Sequence, residues 1–261
     1  MQSIRQAIEA FHIIFLKHLL VGADKSHIVL KGGCNLRFFH HSNRYSEDID
    51  FDTTTIAKDT LRKRIEKSLT ASGLKAALAT HNLSVLSSSA PKQTDTVQRW
   101  KIAIGFKGAS IPTKIEFSRR GIDHKHVEFG SIAPPILGKY ALTPTLLSHY
   151  DSLSAIRQKI EALVGRPETQ ARDIYDLAHL MERRPSVSEK SSLTLSSLKL
   201  SDKQLLEAIE CALSVSFDQF RGQVVEYLED DSRGFYNRQK IWNDLQERVI
   251  TFLEGLIDEP T

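Results

Sequence analysis

Only two cysteines, Cys34 and Cys211, occur in the 261 residues, and neither has a second metal-ligand pair beside it. That excludes a disulfide framework and a cysteine-type zinc site, and it makes a reducing cytoplasm the expected setting. Long apolar runs are also missing: none approaches the ~20 residues needed to span a bilayer, so no membrane partner is expected. The most apolar stretch, MQSIRQAIEAFHIIFLKHLL, is interrupted by Gln, Arg, Glu, His and Lys. Its Ile4, Ile8, Phe11, Phe15 and Leu19 recur at helical spacing, which predicts an amphipathic helix over about 2–20 rather than a signal peptide. Internal repeats are absent. Net charge is scarce too, +3 from 35 Lys+Arg and 32 Asp+Glu, but its distribution is uneven. Residues 1–140 hold 21 basic and 12 acidic side chains, net +9, whereas residues 141–261 hold 14 and 20, net −6. The basic half suits an anionic ligand such as a nucleotide or nucleic acid.

What is present reads as α+β, a mixed sheet with helices followed by a helical region. HIVLKGG (27–33) is a short strand ending in a glycine pair, CNLRFFHHS (34–42) a short helix, IDFDT (49–53) a strand, and KDTLRKRIEKSLTASG (58–73) an amphipathic helix closed by Gly73. LKAALATHNLSVLSS reads as strand-like, and VQRWKIAIGFK and IPTKIEFSRR alternate around GAS as a hairpin. From about 143 the pattern is helical: TPTLLSHYDSLSAIRQKIEALVGR, QARDIYDLAHLMERR, KQLLEAIECALS and a last helix near 238–256. A Ser-rich stretch, 186–201, reads as a loop or weakly ordered segment.

The densest chemistry lies in KGGCNLRFFHHSNRYSEDIDFD, residues 31–52. A strand ending in Gly32-Gly33 and opening a helix lets backbone amides approach a phosphate at the positive end of a helix dipole. Asp48 and Asp50, two apart at the start of a strand, project from one face. Two such carboxylates repel each other unless a cation lies between them, and hard oxygen ligands suit Mg²⁺ bound together with substrate phosphates. Arg37 and Arg44, between the glycines and the aspartates, are placed to neutralise a phosphate. This is apparatus for metal-assisted nucleotidyl transfer. Two metal ions ~3.5–4 Å apart need a third carboxylate. Glu116, sharing a strand face with Lys114 while Ile115 and Phe117 point inward, is the best candidate, and Asp52 continues the Asp48–Asp50 alternation. Asp173 and Asp176 share a helix face. Either they serve the site, Asp173 as a general base, or Arg172-Asp173 forms an ion pair pinning two helices. The pairs HH (40–41) and HKH (124–126) read as exposed polar histidines rather than metal ligands.

KGG-x-x-LR followed by R-x-SEDIDF resembles the first motif of the AbiEii/AbiGii-type abortive-infection nucleotidyltransferase toxins, within the polymerase-beta-like nucleotidyltransferase superfamily. Lys114-Ile115-Glu116-Phe117 is similar to the family's K-x-E strand motif, Ala155 to Leu163 to its helical segment with a central lysine (Lys159), and Arg172-Asp173-Ile174-Tyr175-Asp176-Leu177 to its closing RD-x-x-DL. The resemblance runs over residues 31–177 in the expected order. It implies a nucleotidyltransferase α/β domain over 1–140 and a helical domain over 141–261 that completes the active-site cleft. It further implies Mg²⁺ held by Asp48, Asp50 and Glu116, and an NTP contacted by Gly32, Gly33, Arg44 and Lys159. Asp173 would activate the acceptor or support the site. The implied acceptor is RNA, with a tRNA 3′ end favoured over a protein hydroxyl, and the implied setting is a cytoplasmic toxin with a cognate antitoxin, acting in phage defence. Two departures stand out: Cys34 replaces the family's small Thr or Ser, and Gln170-Ala171-Arg172-Asp173 carries one basic residue fewer than the closing motif of several toxins. They keep a rival expectation in view, a degraded module of the same fold that binds nucleotide or a partner protein.

Overall fold

The computed structural model describes residues 2–22, 25–182 and 198–257; positions 186–197 of the Ser-rich stretch lie outside them. Ser3 opens the first helix, α1 (Ile4–Leu19), through a reciprocal capping box with Gln6. Residues 7–16 of α1 are all buried, including the polar Glu9 and His12 that interrupt the apolar stretch. The helix packs against α3 (Lys58–Thr70), α4 (Ser72–Ala79), β4 (Val97–Phe106) and β5 (Ala109–Ser118). Both polar side chains survive there because each has buried partners, described below.

Besides β4 and β5 the strands are β1 (Ile28–Lys31), β2 (Ile49–Thr53), β3 (Leu83–Gln93), β6 (Val127–Ser131) and β7 (Leu146–Tyr150), with the short helix α5 (Pro134–Lys139) between the last two. Among the described residues these seven strands make one mixed sheet in the order β3-β4-β5-β2-β1-β7-β6. The pairs β2–β5 and β1–β7 are parallel and the other four antiparallel. In β4 and β5, Trp100, Ile102, Ile104, Ile115 and Phe117 enter the core, whereas Lys101 and Lys114 stand exposed and Arg99 and Glu116 half-buried on the opposite face. The hairpin turn is Lys107-Gly108, both at positive φ (50° and 77°), one residue earlier than GAS suggested. That is the backbone a two-residue turn of the I′ kind requires.

Two further expectations are corrected. The Ala-rich stretch before β3 is helix α4, in keeping with alanine's helix preference, and the strand begins only at Leu83. LLSHY, expected as helix, is strand β7, which β1 and β6 flank. Accordingly, one compact unit spans Met1–His41 and Tyr45–Tyr150, and the other Ser42–Arg44 and Asp151–Thr261. The second unit therefore starts at Asp151 rather than 141, where the Asp151 side chain caps α6 (Ser152–Gly165) by accepting from Ser154 N at 2.7 Å.

The second unit is helical: α6, α7 (Ala171–Glu182), α8 (Asp202–Ser214), α9 (Phe217–Gln223), α10 (Asp230–Tyr236) and α11 (Gln239–Ile257). Phe220 stacks on Trp242 at 4.6 Å within its apolar interior. Residues 42–44 join this unit through a bridge from Arg44 to Leu228 and a bond from Glu229 N to Asn43 O at 3.0 Å.

Candidate active site

Strand β2 sends Ile49 and Phe51 into the core, so Asp48, Asp50 and Asp52 project from its other side. The parallel register of β2 with β5 sets Asp50 opposite Glu116, one strand spacing away, about 4.8 Å. Asp48 is held by β5: Lys114 N donates to its Oδ1 at 3.0 Å, and Lys114 Nζ lies 2.7 Å from Oδ2. Glu116 Oε2 accepts from Arg99 Nε at 2.5 Å. Burial first, and then the negative charges of Asp48 and Glu116, push Asp50 up to about 6 against the pull of Lys31 and Lys114. The structure thus brings together Asp48, Asp50 and Glu116, three hard-oxygen groups with insufficient positive charge around the central one.

Gly32 belongs to this cluster. It starts α2 (Gly32–Phe39) at φ +66°, and a Cβ there would lie 2.8 Å from Asp50 Oδ2. Backbone conformation and close approach both demand glycine. A Gly32→Ala variant is expected to lose about 1–3 kcal/mol of stability, because Asp50 must move. Denaturant unfolding checks this; a wild-type value would refute the assignment.

Asp52 is occupied differently. Lys31 Nζ lies 2.6 Å from Oδ1, and the Tyr150 hydroxyl donates to Oδ2 at 2.8 Å, so Asp52 ties β2 to β1 and β7 rather than joining the cluster. Among the described residues no group of three or more His, Cys, Asp or Glu side chains is arranged to hold a metal ion; Asp48 and Glu116 are ion-paired with Lys114 and Arg99. Both cations are partly exposed, and pairs of that kind contribute only about 0–1 kcal/mol. The donor chemistry of Asp48, Asp50 and Glu116 fits Mg²⁺.

The other expected residues lie in the helical unit. Lys159 Nζ sits 3.0 Å from Asp173 Oδ1 and 2.6 Å from Asp176 Oδ2. Arg44 clasps Asp176 with Nε–Oδ1 at 2.9 Å and Nη2–Oδ2 at 2.7 Å, while Arg166 Nε approaches Asp173 Oδ2 at 2.8 Å. Both aspartates are wholly buried. Burial alone would raise the Asp176 carboxyl, but Arg44 and Lys159 outweigh it and hold the group well below the usual carboxylate range. Arg44 and Lys159, expected on the triphosphate, are therefore engaged with Asp173 and Asp176, and this network ties α6 and α7 to the 42–44 segment. Arg37 is engaged as well, its Nε 2.6 Å from Glu9 Oε1 and its guanidinium over the Tyr45 ring. Sequence reasoning missed His12 and Thr113; a buried histidine on an apolar helix carries no spacing signal of its own.

The model of the family described as "Nucleotidyl transferase AbiEii toxin, Type IV TA system" matches residues 14–241. Among solved structures, JHP933 from Helicobacter pylori is similar at a TM-score of 0.56 and 16% identity, covering 98% of this chain and 95% of that one. MenT4, a nucleotidyltransferase toxin from Mycobacterium tuberculosis H37Rv, is similar at 0.57 and 16% identity, over 97% of this chain and 92% of that one. At these identities the likeness speaks for the fold. No curated protein matches the chain.

Proposed function

From the chain's membership of the AbiEii family of nucleotidyltransferase toxins, we propose that it moves an NMP unit from an NTP onto RNA, a tRNA 3′ end foremost, releasing pyrophosphate, with Asp48, Asp50 and Glu116 as ligands of Mg²⁺. The observation that carries this is the Asp50 carboxyl, raised to about 6 by burial and by Asp48 and Glu116, at the foot of a glycine-started helix. A nucleotidyltransferase needs a concentration of negative charge there that only a bound cation relieves. When bound, Mg²⁺ supplies charge neutralisation on the phosphates and a lowered pKa at the acceptor hydroxyl.

The chain's own groups do the rest. The Gly32 and Gly33 amides at the start of α2 receive phosphate oxygens. Lys114, Lys101 and Arg99, on the face of β4 and β5 that carries Glu116, attract the polyanionic substrates. Arg44, Lys159 and Asp173 support the reaction by holding the helical unit together. A toxin–antitoxin family implies a cognate antitoxin that restrains the activity; the cytoplasm and phage defence are the setting that fits.

Incubation with each α-labelled NTP, Mg²⁺ and total RNA tests the reading. Wild type is expected to label RNA, Asp48→Ala to leave it unlabelled, and chelation to abolish labelling. Expression of wild type is expected to slow growth while Asp50→Ala does not. Failure to label RNA with any NTP would overturn the proposal, and label on protein instead would replace the acceptor.

A further inference from the structure

We infer that His12 is a positioning residue: from the buried middle of α1 it braces, through Thr113, the Glu47–Asp48 backbone that presents the first carboxylate. The inference rests on the metal-binding role proposed above for Asp48.

His12 is 1% exposed and surrounded by the apolar core of the sheet unit, where its N–H needs a hydrogen-bond acceptor. Its Nε2 lies 2.8 Å from Thr113 Oγ1, and Thr113 Oγ1 lies 2.6 Å from Glu47 O. A carbonyl oxygen only accepts, so the threonine hydroxyl gives its proton to Glu47 O. Thr113 must then accept from His12, which fixes the Nε2–H tautomer and leaves Nδ1 bare. Burial keeps the ring neutral, lowering its pKa to about 3. Cys34 gives its single thiol proton to Asp48 O at 3.3 Å, so its contact with the bare Nδ1 at 3.5 Å adds no second hydrogen bond. Ser46 Oγ donates to the same carbonyl at 2.8 Å, and Lys114 N, one residue beyond Thr113, holds the Asp48 carboxylate.

Three elements therefore converge on two consecutive carbonyls, α2, β5 and the turn before β2, with α1 behind them through Thr113. Hydrogen bonds within a sheet do not require this. Ile49 is the first β2 residue in the β5 register, so Glu47 and Asp48 lie before the ladder and depend on side chains for their placement. His12 sits at the root of that arrangement, because its N–H occupies the acceptor side of the Thr113 hydroxyl and so turns that hydroxyl's proton toward Glu47 O. Groups that orient metal ligands from behind typically alter metal affinity about 10–100-fold when removed.

The test pairs two isosteric deletions, His12→Leu and Thr113→Val, with two conservative variants, His12→Gln and Thr113→Ser, which keep a donor and a hydroxyl. Amide hydrogen exchange at Lys114, with no metal present, is the first readout; Mn²⁺ titration followed by electron paramagnetic resonance is the second. The deletions are expected to speed Lys114 exchange and weaken Mn²⁺ binding, each by about 10-fold or more. Exchange in the helical unit should stay unchanged, and Thr113→Ser should restore both quantities. Wild-type exchange at Lys114 in folded Thr113→Val overturns the brace, whatever the metal does. Faster exchange with unchanged Mn²⁺ affinity overturns its role toward the metal ligand. If Asp48→Ala binds Mn²⁺ like wild type, the metal assignment falls, while the exchange result still decides the brace.

Discussion

Replacing Asp50 by asparagine is expected to abolish nucleotidyl transfer and, in metal-free buffer at pH 7.5, to make the sheet unit harder to unfold. The loss of activity follows from removing the central one of three proposed metal ligands. Metal assistance supplies several kcal/mol of transition-state stabilisation, so a drop of about a thousandfold or more is expected. The gain in stability follows from the sign of the pKa shift. In the folded chain the Asp50 carboxyl titrates near 6, above its usual 3.8. Its contribution to stability is complete below pH 3.8 and is lost as the pH rises through 6. At pH 7.5 the wild type carries an ionised carboxylate that burial, Asp48 and Glu116 all oppose, at a cost of about 1–3 kcal/mol. Asparagine keeps the shape without the charge. Thermal unfolding in EDTA should place Asp50→Asn about 2–8 °C above wild type at pH 7.5 and level with it near pH 4. Added Mg²⁺ should raise the wild type and leave the variant where it was. Equal melting temperatures in EDTA at pH 7.5 would remove the carboxylate cluster as the source of the effect. A destabilised site of this kind is what a binding centre retains for its ligand.

Asp176→Asn is expected to act in the opposite direction and in the other unit. The carboxylate has no exposed surface and faces both Arg44 and Lys159. Removing its charge takes from Arg44 the carboxylate it clasps and leaves Lys159 with Asp173, and breaking a buried pair in this way costs about 3–5 kcal/mol. For a unit of this size the helical transition should fall by roughly 10–20 °C. The wild type should show the same dependence on acid. Because Arg44 and Lys159 hold Asp176 well below the usual carboxylate range, its contribution is present above pH ~4 and fades as the pH falls through the depressed folded value. Far-ultraviolet circular dichroism against pH should show helix lost on acidification in wild type, with that dependence flattened in Asp176→Asn. Retention of the wild-type melting temperature would show that the Asp176 ion pairs do not hold the helical unit together.

The two variants mark the limits of what the sequence alone conveys. Asp48, Asp50 and the Lys114-x-Glu116 pair were legible as face-sharing groups because strand alternation assigns a face to every second residue. Gly32 stood out because a strand that ends in glycines and opens a helix is a pattern in its own right. The hydrophobic face of α1 was also legible, but the burial of Glu9 and His12 within it was not: their partners, Arg37, Tyr140 and Thr113, lie 28, 131 and 101 residues away. Leu146–Tyr150 misled for the same kind of reason. Its leucines fit a helix locally, whereas β1 and β6 on either side make it a strand, and tertiary pairing outweighs propensities of a few tenths of a kcal/mol per residue.

Arg44 and Lys159 are the sharpest case. Sequence order places Arg44 between the glycines and the aspartates and suggests a phosphate contact. Three residues, 42–44, instead leave the sheet unit and carry that guanidinium to Asp176 in the helical one. By itself the sequence determined the chemical character of the site: which carboxylates share a face, where glycine is obligatory, and which half of the chain is basic. Only the tertiary structure decided that β2 lies parallel to β5 with Asp50 opposite Glu116, that Asp52 is taken by Lys31 and Tyr150, and that the best-placed cations in the sequence are already bound. Periodicity reports the direction a side chain faces, but the neighbour it meets is set by strand register and chain crossings tens of residues away, and those govern the charge each group experiences.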